Sequence, residues 1–214
     1  LVKINGGSKT NAIPREGDAL ISIAKKDINL LNKIVTNVTK DIVEELRVSD
    51  AGVKIILTEI EKTKISKVMD SDTTHRVINT LFLYPNGVQR MSLDIEGLVE
   101  TSLNLGVLTT EDTSVVLQSA IRSSVDASKA LLTKKIATLA TLTGCSFKQG
   151  ASYPAWKFNP TSKLQAMALE VHEKSTGKKA GIKAIHAGLE CGLLSEKLPD
   201  CDMISFGPNM FDVH

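Results

Sequence analysis

The most constraining feature of this 214-residue sequence is an order of elements that occurs twice. Residues 1–60 and residues 98–151 each show the pattern of a hairpin, a helix and a strand, without sequence identity between them. Two strands followed by a helix and a strand form the later part of a ferredoxin-like split βαβ unit, in which helices cover one face of an antiparallel sheet. The order therefore predicts a mixed α/β (α+β) fold with repeated ββαβ units.

Local patterns mark the elements of these two units. Alternating apolar and polar residues predict strands, and apolar residues three or four apart predict helices. A helix is predicted over residues 28–46 with Asp27 as its cap, and another over about 127–142 with Asp126 as its cap and Gly144 at its end. The predicted strands are "LVKIN", "DALISIAKK", "VKIILTEI", "GVQRMSL", "VETSLNLGVLTT", "TSVVLQSAIRS" and "CSFKQGA", and "DTTHRVINTLFLY" is predicted to form a short helix.

A change of composition at "SYPAWKFNPTSK" separates residues 1–151 from residues 152–214. Beyond it, a helix over about 162–175, capped by Ser162 or Thr161, and a helix in "LECGLLSEKL" alternate with the apolar strands "GIKAIHAG" and "DMISFG". Such strands are typical of a parallel sheet covered on both faces. Because two strands lack the partners such a sheet needs, we predict that the second part is destabilised alone and that its "GIKAIHAG" amides exchange faster than those of the first part.

Composition excludes several classes of partner. The net charge of +2 comes from 26 basic and 24 acidic residues that are interleaved, and aromatic residues make up 4%. These values predict neither a nucleic-acid surface nor a membrane surface. Cys145, Cys191 and Cys201 form no disulfide framework, so we expect free, largely buried thiols in a reducing cytosol. Without a spanning or signal segment, the protein is expected to be cytoplasmic.

Five residues are candidates for a functional role, and each also has a purely structural interpretation. Gly188, Glu190 and His214 follow predicted parallel strands, at the edge where open α/β sheets place their sites. His214 is either a solvated end or a metal ligand, Glu190 an acid, a ligand or a first-turn carboxylate, and Gly188 a point of close backbone approach. Arg122 is either a fork for a substrate carboxylate or a solvated strand end. Asn11 is either a turn residue or a donor to a polarised carbonyl oxygen.

Several longer stretches together resemble one enzyme family. "NGGSKTNAIPRE", "PNGVQRM", "VETSLNLGV", "YPAWKFNPTSKL", "IHAGLECGL" and "MISFGPNMFDVH" occur in the order found in bacterial aminoacyl-histidine dipeptidases, which belong to the di-zinc exopeptidases. The resemblance implies a catalytic α/β domain interrupted by a lid domain. Residues 1–151 would then be the later part of a ferredoxin-like lid, and residues 152–214 part of the parallel-sheet catalytic domain. It also allows a homodimer through the lid.

The resemblance assigns roles to the same five residues. Asn11 matches the lid asparagine that contacts the substrate and the oxyanion, and Arg122 the lid arginine that receives the substrate carboxylate. Gly188 matches a backbone contact beside the peptide. His214 matches the last ligand of a centre of two zinc ions, where other divalent metals also fit. Glu190 matches a family position whose role the resemblance leaves open.

The implied parent enzyme is a metallo-dipeptidase that hydrolyses Xaa-His dipeptides such as carnosine by attack of a metal-activated water. The other ligands and the general base would lie upstream of residue 1. Because the chain also lacks an initiator Met, we expect a fragment that does not hydrolyse dipeptides by itself. The alternative is a non-catalytic lid module for dimerisation and substrate binding, which would need no such ligands upstream.

Overall fold

One antiparallel sheet of five strands organises the described part of the chain. The computed structural model describes residues 1–60, 65, 67–156, 158–182 and 190–207. In chain order the strands are β1 (Lys3–Gly6), β2 (Gly17–Leu20), β3 (Gly87–Met91), β4 (Val99–Thr110) and β5 (Val115–Ser123).

Strand β4 is the centre of this sheet. Its residue Leu103 pairs with β3 on one side and with β5 on the other, whereas Leu108 pairs with β1 and β5. Since a strand has only two edges, β1 and β3 must share one edge of β4 while β5 runs along the other. β2 pairs with β1 on the outside. Residues distant in sequence are therefore brought together along β4.

Five helices accompany the sheet in the described residues, so the predicted mixed α/β class with an antiparallel sheet is confirmed. They are α1 (Ile28–Glu45), α2 (Ser71–Leu83), α3 (Asp126–Leu142), α4 (Lys163–Thr176) and α5 (Glu190–Lys197), and a short 3-10 helix, Lys25–Asp27, precedes α1.

The helix starts agree only partly with the predicted caps. Ser162 caps α4 as predicted, because its Oγ accepts a hydrogen bond of 3.0 Å from the Gln165 N–H. Asp27 occupies the position before α1 but makes no side-chain cap bond. Only the predicted cap of α3 was wrong: Val125 is the cap residue, and the Asp126 carboxylate binds Lys129 Nζ at 2.9 Å instead.

The core lies between the sheet and α3. Leu103, only 1% exposed, packs with Leu132 and Ile136 of α3, and Tyr84 and Ile121 pack against this cluster. Burial of these apolar side chains stabilises the contact by roughly 25 cal/mol for each Å² removed from water. The helix thereby fixes which face of β4 and β5 is covered.

We expect the substitution Leu103→Ala to lower the free energy of unfolding by about 2–5 kcal/mol, because it leaves a cavity in a close-packed site. Urea unfolding followed by circular dichroism would measure the change. Leu93→Ala is the matched control, since Leu93 is 87% exposed and should change stability by less than about 0.5 kcal/mol. Equal effects of the two substitutions would show that Leu103 is not the centre of the core.

Two of the strands predicted within residues 1–151 are absent from the structure. Residues 53–60 and 145–151 carry no strand, so each predicted ββαβ unit consists of two strands and a helix without its closing strand. Beyond α3, the chain returns along the helix instead of joining the sheet: the Cys145 N–H donates to the Ala140 carbonyl, and the Tyr153 carbonyl accepts from Lys129 Nζ. These contacts replace the pairing that the alternation predicted.

The second part of the chain also departs from its predicted elements. Residues 202–207 form no strand, whereas α4 and α5 are helices as predicted. The Asp202 carboxylate instead accepts hydrogen bonds of 2.9 Å from both Ser162 Oγ and the Leu164 N–H at the start of α4. These bonds, the Leu164 contact first, hold the pKa of Asp202 below its usual value. The predicted strand over 181–188 lies mainly outside the described residues, so the parallel arrangement stays a prediction.

The cysteines are free, and their exposure differs from the prediction. Cys145 and Cys201 are exposed and Cys191 is partly exposed, so the expectation of largely buried thiols was wrong. Cys145 follows the end of α3 instead of opening the predicted strand. None of the helices in the described ranges is long and apolar enough to cross a lipid bilayer.

Candidate functional site

Asn11 lies in the loop that joins β1 to β2, and its side chain is exposed. The loop rests on β4 through the side chain of Asn104. The Asn104 Nδ2 group donates hydrogen bonds of 2.7 Å to the Thr10 carbonyl and 2.8 Å to the Ala12 carbonyl. Both neighbours of Asn11 are therefore tied to the central strand.

Gly106 allows the backbone of this loop to approach β4. It lies at an irregularity in the β4–β5 register, between Leu105 and Val107. A Cβ atom at Gly106 would lie only 2.5 Å from the carbonyl oxygen of Lys9, and as close to the loop backbone at the next residue. Any side chain at Gly106 would thus displace the loop that carries Asn11.

Arg122 lies on β5, where it is exposed and pairs with Ser102 of β4. Ile121 packs against the core cluster on the helical side, so the alternation of a strand places Arg122 on the opposite face. Asn104 pairs with Ala120, two residues before Arg122, and lies on that same face. Arg122 and Asn104, which binds the loop, are therefore about 7 Å apart along the strand direction.

Asn11, Arg122 and Glu190 all border one broad concavity of about 2930 Å³. This volume is several times the roughly 300–1,000 Å³ of a typical small-molecule pocket. The lining of the concavity includes residues on both faces of β5, such as Ile121 and Arg122, so a shared border does not bring the three predicted residues together in a closed pocket.

A buried carboxylate, missed in the sequence, supports the end of β5. Glu100 is 8% exposed and its Oε1 accepts hydrogen bonds from Ser128 Oγ at 3.1 Å and Thr101 Oγ1 at 3.3 Å. Arg90 Nε lies 3.5 Å from the same oxygen. Thr101 in turn contacts Ser123 Oγ at 2.8 Å, next to Arg122. An acid within the otherwise uncharged stretch "VETSLNLGV" is the signal that could have indicated this network.

Residues 153–156 contact both α3, in the first part of the chain, and α5, in the second part. The Ala155 N–H donates to Asp126 Oδ1 at 3.2 Å, and Lys129 Nζ donates to the Tyr153 carbonyl at 2.7 Å. The hydrogen bond from Lys129, followed by that from Ala155, lowers the pKa of Asp126. Gly192 of α5 packs against the same segment, where an added Cβ would lie 2.8 Å from the Pro154 carbonyl.

The remaining predicted residues belong to the second part of the chain. Glu190 is the first residue of α5 and is exposed. Gly188 and His214 lie outside the described residues. Within the described ranges, no three His, Cys, Asp or Glu side chains lie close enough together to hold a metal ion. The described residues therefore do not by themselves fit the expected zinc ions.

Known proteins that resemble this chain are dipeptidases, and the similarity extends along its whole length. This similarity confirms the resemblance expected from its motifs. It is 34% identical to the cytosol non-specific dipeptidase of Escherichia coli (strain K12) over 215 residues, which cover 100% of this chain and 44% of that protein. No protein-family model matches.

The fold agrees with a solved dipeptidase structure. The aminoacylhistidine dipeptidase from Vibrio alginolyticus superposes with a TM-score of 0.91 at 36% identity, over 97% of this chain and 42% of that one. The chain thus spans less than half the length of the relatives it matches. What these relatives do as whole proteins comes to this chain only as a proposal.

Proposed function

We propose that this chain is part of a metallo-dipeptidase that hydrolyses Xaa-His dipeptides such as carnosine. The observation that carries the proposal is similarity over the whole chain to two dipeptidases, one of them an aminoacylhistidine dipeptidase. In this proposal residues 1–151 are the later part of the lid and residues 152–214 belong to the catalytic domain. The cytosolic location named for one relative supports a cytoplasmic location here.

Asn11 and Arg122 are the proposed substrate-binding residues of the lid. The guanidinium of Arg122 offers a planar fork of N–H donors that fits the carboxylate at the end of a dipeptide. The Asn11 amide would donate to the carbonyl oxygen of the scissile bond, where negative charge develops during attack. Both residues are exposed, and the loop of Asn11 is bound by Asn104, which lies on the same face of the sheet as Arg122; this supports their acting on one substrate.

Gly188 and His214 complete the proposed site from the catalytic side. Gly188 would contact the peptide through its backbone, and His214 would be a ligand of one of two zinc ions. Zinc, when bound, supplies the activation of a water molecule. Glu190 is the exposed first residue of α5 and matches a family position whose role the resemblance leaves open.

A second candidate function is a lid module for dimerisation and substrate binding. Helix α1 supports it, because none of its residues is buried. Its apolar side chains Leu30, Ile34 and Val38 are 58%, 49% and 44% exposed. A surface of this kind suits a partner, and we propose a second copy of the chain as that partner. Both functions can belong to the same protein, since they use different surfaces.

The proposed activity is tested by comparing the 214-residue chain with the full natural chain that contains it. We expect the full chain to cleave carnosine and other Xaa-His dipeptides with added zinc, and the 214-residue chain to show no hydrolysis, because the general base is expected upstream. Release of free histidine would be measured. A full chain that folds and binds metal but cleaves no dipeptide would contradict the proposal and favour the lid module.

A further inference from the structure

We propose that Asn104 is a positioning residue for dipeptide hydrolysis, which holds the Asn11 amide in place relative to Arg122. This inference rests on the proposed function. Asn104 is not itself expected to touch the substrate, because its amide group is engaged with the protein backbone on both sides of Asn11.

The chemistry of the contact defines the orientation of the Asn104 side chain. Both partners, the carbonyls of Thr10 and Ala12, can only accept hydrogen bonds, so the group that faces them must be the NH₂ group. Its two hydrogens match the two carbonyls, at 2.7 and 2.8 Å. The residue between those carbonyls is Asn11. The loop backbone is therefore held on each side of the side chain that is proposed to act on the substrate.

The remaining contacts leave the loop few other positions. The backbone at Lys9 lies against Gly106, where no side chain would fit. The Ala12 N–H also closes a turn onto the Lys9 carbonyl at 3.3 Å. Two residues of β4 thus define the distance between the loop and the strand: Asn104 through its side-chain amide, and Gly106 through its lack of a side chain.

The same residue relates the loop to the proposed carboxylate-binding arginine. Asn104 pairs with Ala120 on β5, in regular register with the Ser102–Arg122 pair. Asn104, which holds the loop of Asn11, and the Cα atom of Arg122 therefore belong to the same pair of hydrogen-bonded strands, β4 and β5. A dipeptide that binds through its carboxylate and its scissile carbonyl needs these two donors at a constant separation, since small displacements from the reactive geometry reduce the rate strongly.

The test is a double-mutant cycle in the full natural chain, with carnosine as substrate. We expect Asn11→Ala to lower kcat by about 100-fold or more, as loss of an oxyanion donor does. Asn104→Ala should lower kcat by about 10-fold with KM changed less than about threefold, because it loosens a group that acts in the transition state. If Asn104 acts through Asn11, the double variant should be no slower than Asn11→Ala alone.

Controls separate this role from a loss of structure. Asn79→Ala is the matched control, since Asn79 is exposed on α2 and should keep the wild-type kcat. In Asn104→Ala, the Ala12 amide should exchange with solvent about 10-fold faster while amides of β4 and β5 stay protected. Faster exchange throughout the sheet, a wild-type kcat in Asn104→Ala, or independent effects in the double variant would each overturn the proposal.

The cycle also distinguishes failure of the inference from failure of the proposed function. A full chain without dipeptidase activity overturns the proposed function, and the positioning role with it. An active full chain in which Asn104→Ala behaves like Asn79→Ala overturns the positioning role alone.

Discussion

In the full natural chain, Arg122→Ala should raise KM for carnosine and other dipeptides with a free carboxylate by about 10- to 100-fold. A hydrogen bond to a charged group contributes about 1.5–3 kcal/mol, and each 1.4 kcal/mol corresponds to a factor of ten. The loss should disappear for dipeptide amides, which have no carboxylate for the fork to bind. Steady-state kinetics on matched acid and amide substrates would measure both effects.

Two further variants sharpen this prediction. Arg122→Lys should fall between the wild type and Arg122→Ala, because lysine retains the charge but not the planar fork. Arg47→Ala is the matched control, since Arg47 is exposed beyond the end of α1, outside the residues that border the concavity. A variant at Arg122 that keeps the full preference for the acid over the amide would show that another residue receives the carboxylate.

His214→Ala should abolish measurable dipeptide hydrolysis by the full natural chain. Removal of a residue that only supports a metal ligand typically costs 10- to 100-fold in metal affinity or activity, so loss of a ligand itself should cost more than about 100-fold. The readouts are histidine release and the zinc content of the purified protein, with about one zinc ion fewer expected in the variant.

His75→Ala provides the control for this substitution. His75 is exposed on α2, where its Nδ1 forms hydrogen bonds with Ser71 of the same helix, so hydrolysis and zinc content should stay at wild-type levels. If His214→Ala retains both its zinc and its activity, the match of His214 to a family ligand is wrong. If it retains zinc but loses activity, His214 acts on the substrate instead of the metal.

The sequence alone indicated Asn11 and Arg122 as candidates, because a turn asparagine and a strand-end arginine are residue types that bind carbonyl and carboxylate oxygens. It did not indicate Asn104. A polar residue inside an alternating strand is ordinary, and its significance comes from a loop more than 90 residues away in sequence. Only strand pairing brings that loop to β4, and pairing between distant segments leaves little local signal.

The predicted strands show the same division. The alternation within "VETSLNLGVLTT" and "TSVVLQSAIRS" identified β4 and β5, which pair with each other along nearly their whole length. The same kind of pattern at residues 53–60 and 145–151 produced no strand. A strand exists only if an edge is available to accept its hydrogen bonds, and an alternating pattern does not reveal whether one is free.

The class of the fold, its helices and its resemblance to dipeptidases were thus determined by the amino-acid sequence, because periodicity and motif residues are local properties. Only the tertiary structure showed which edge of β4 pairs with β1 and β3, and how Asn104 holds the loop of Asn11. It also showed why position 106 requires glycine, because the loop backbone leaves no room there for a side chain. These features depend on contacts between distant segments, whose free energy is realised only when the whole sheet has formed.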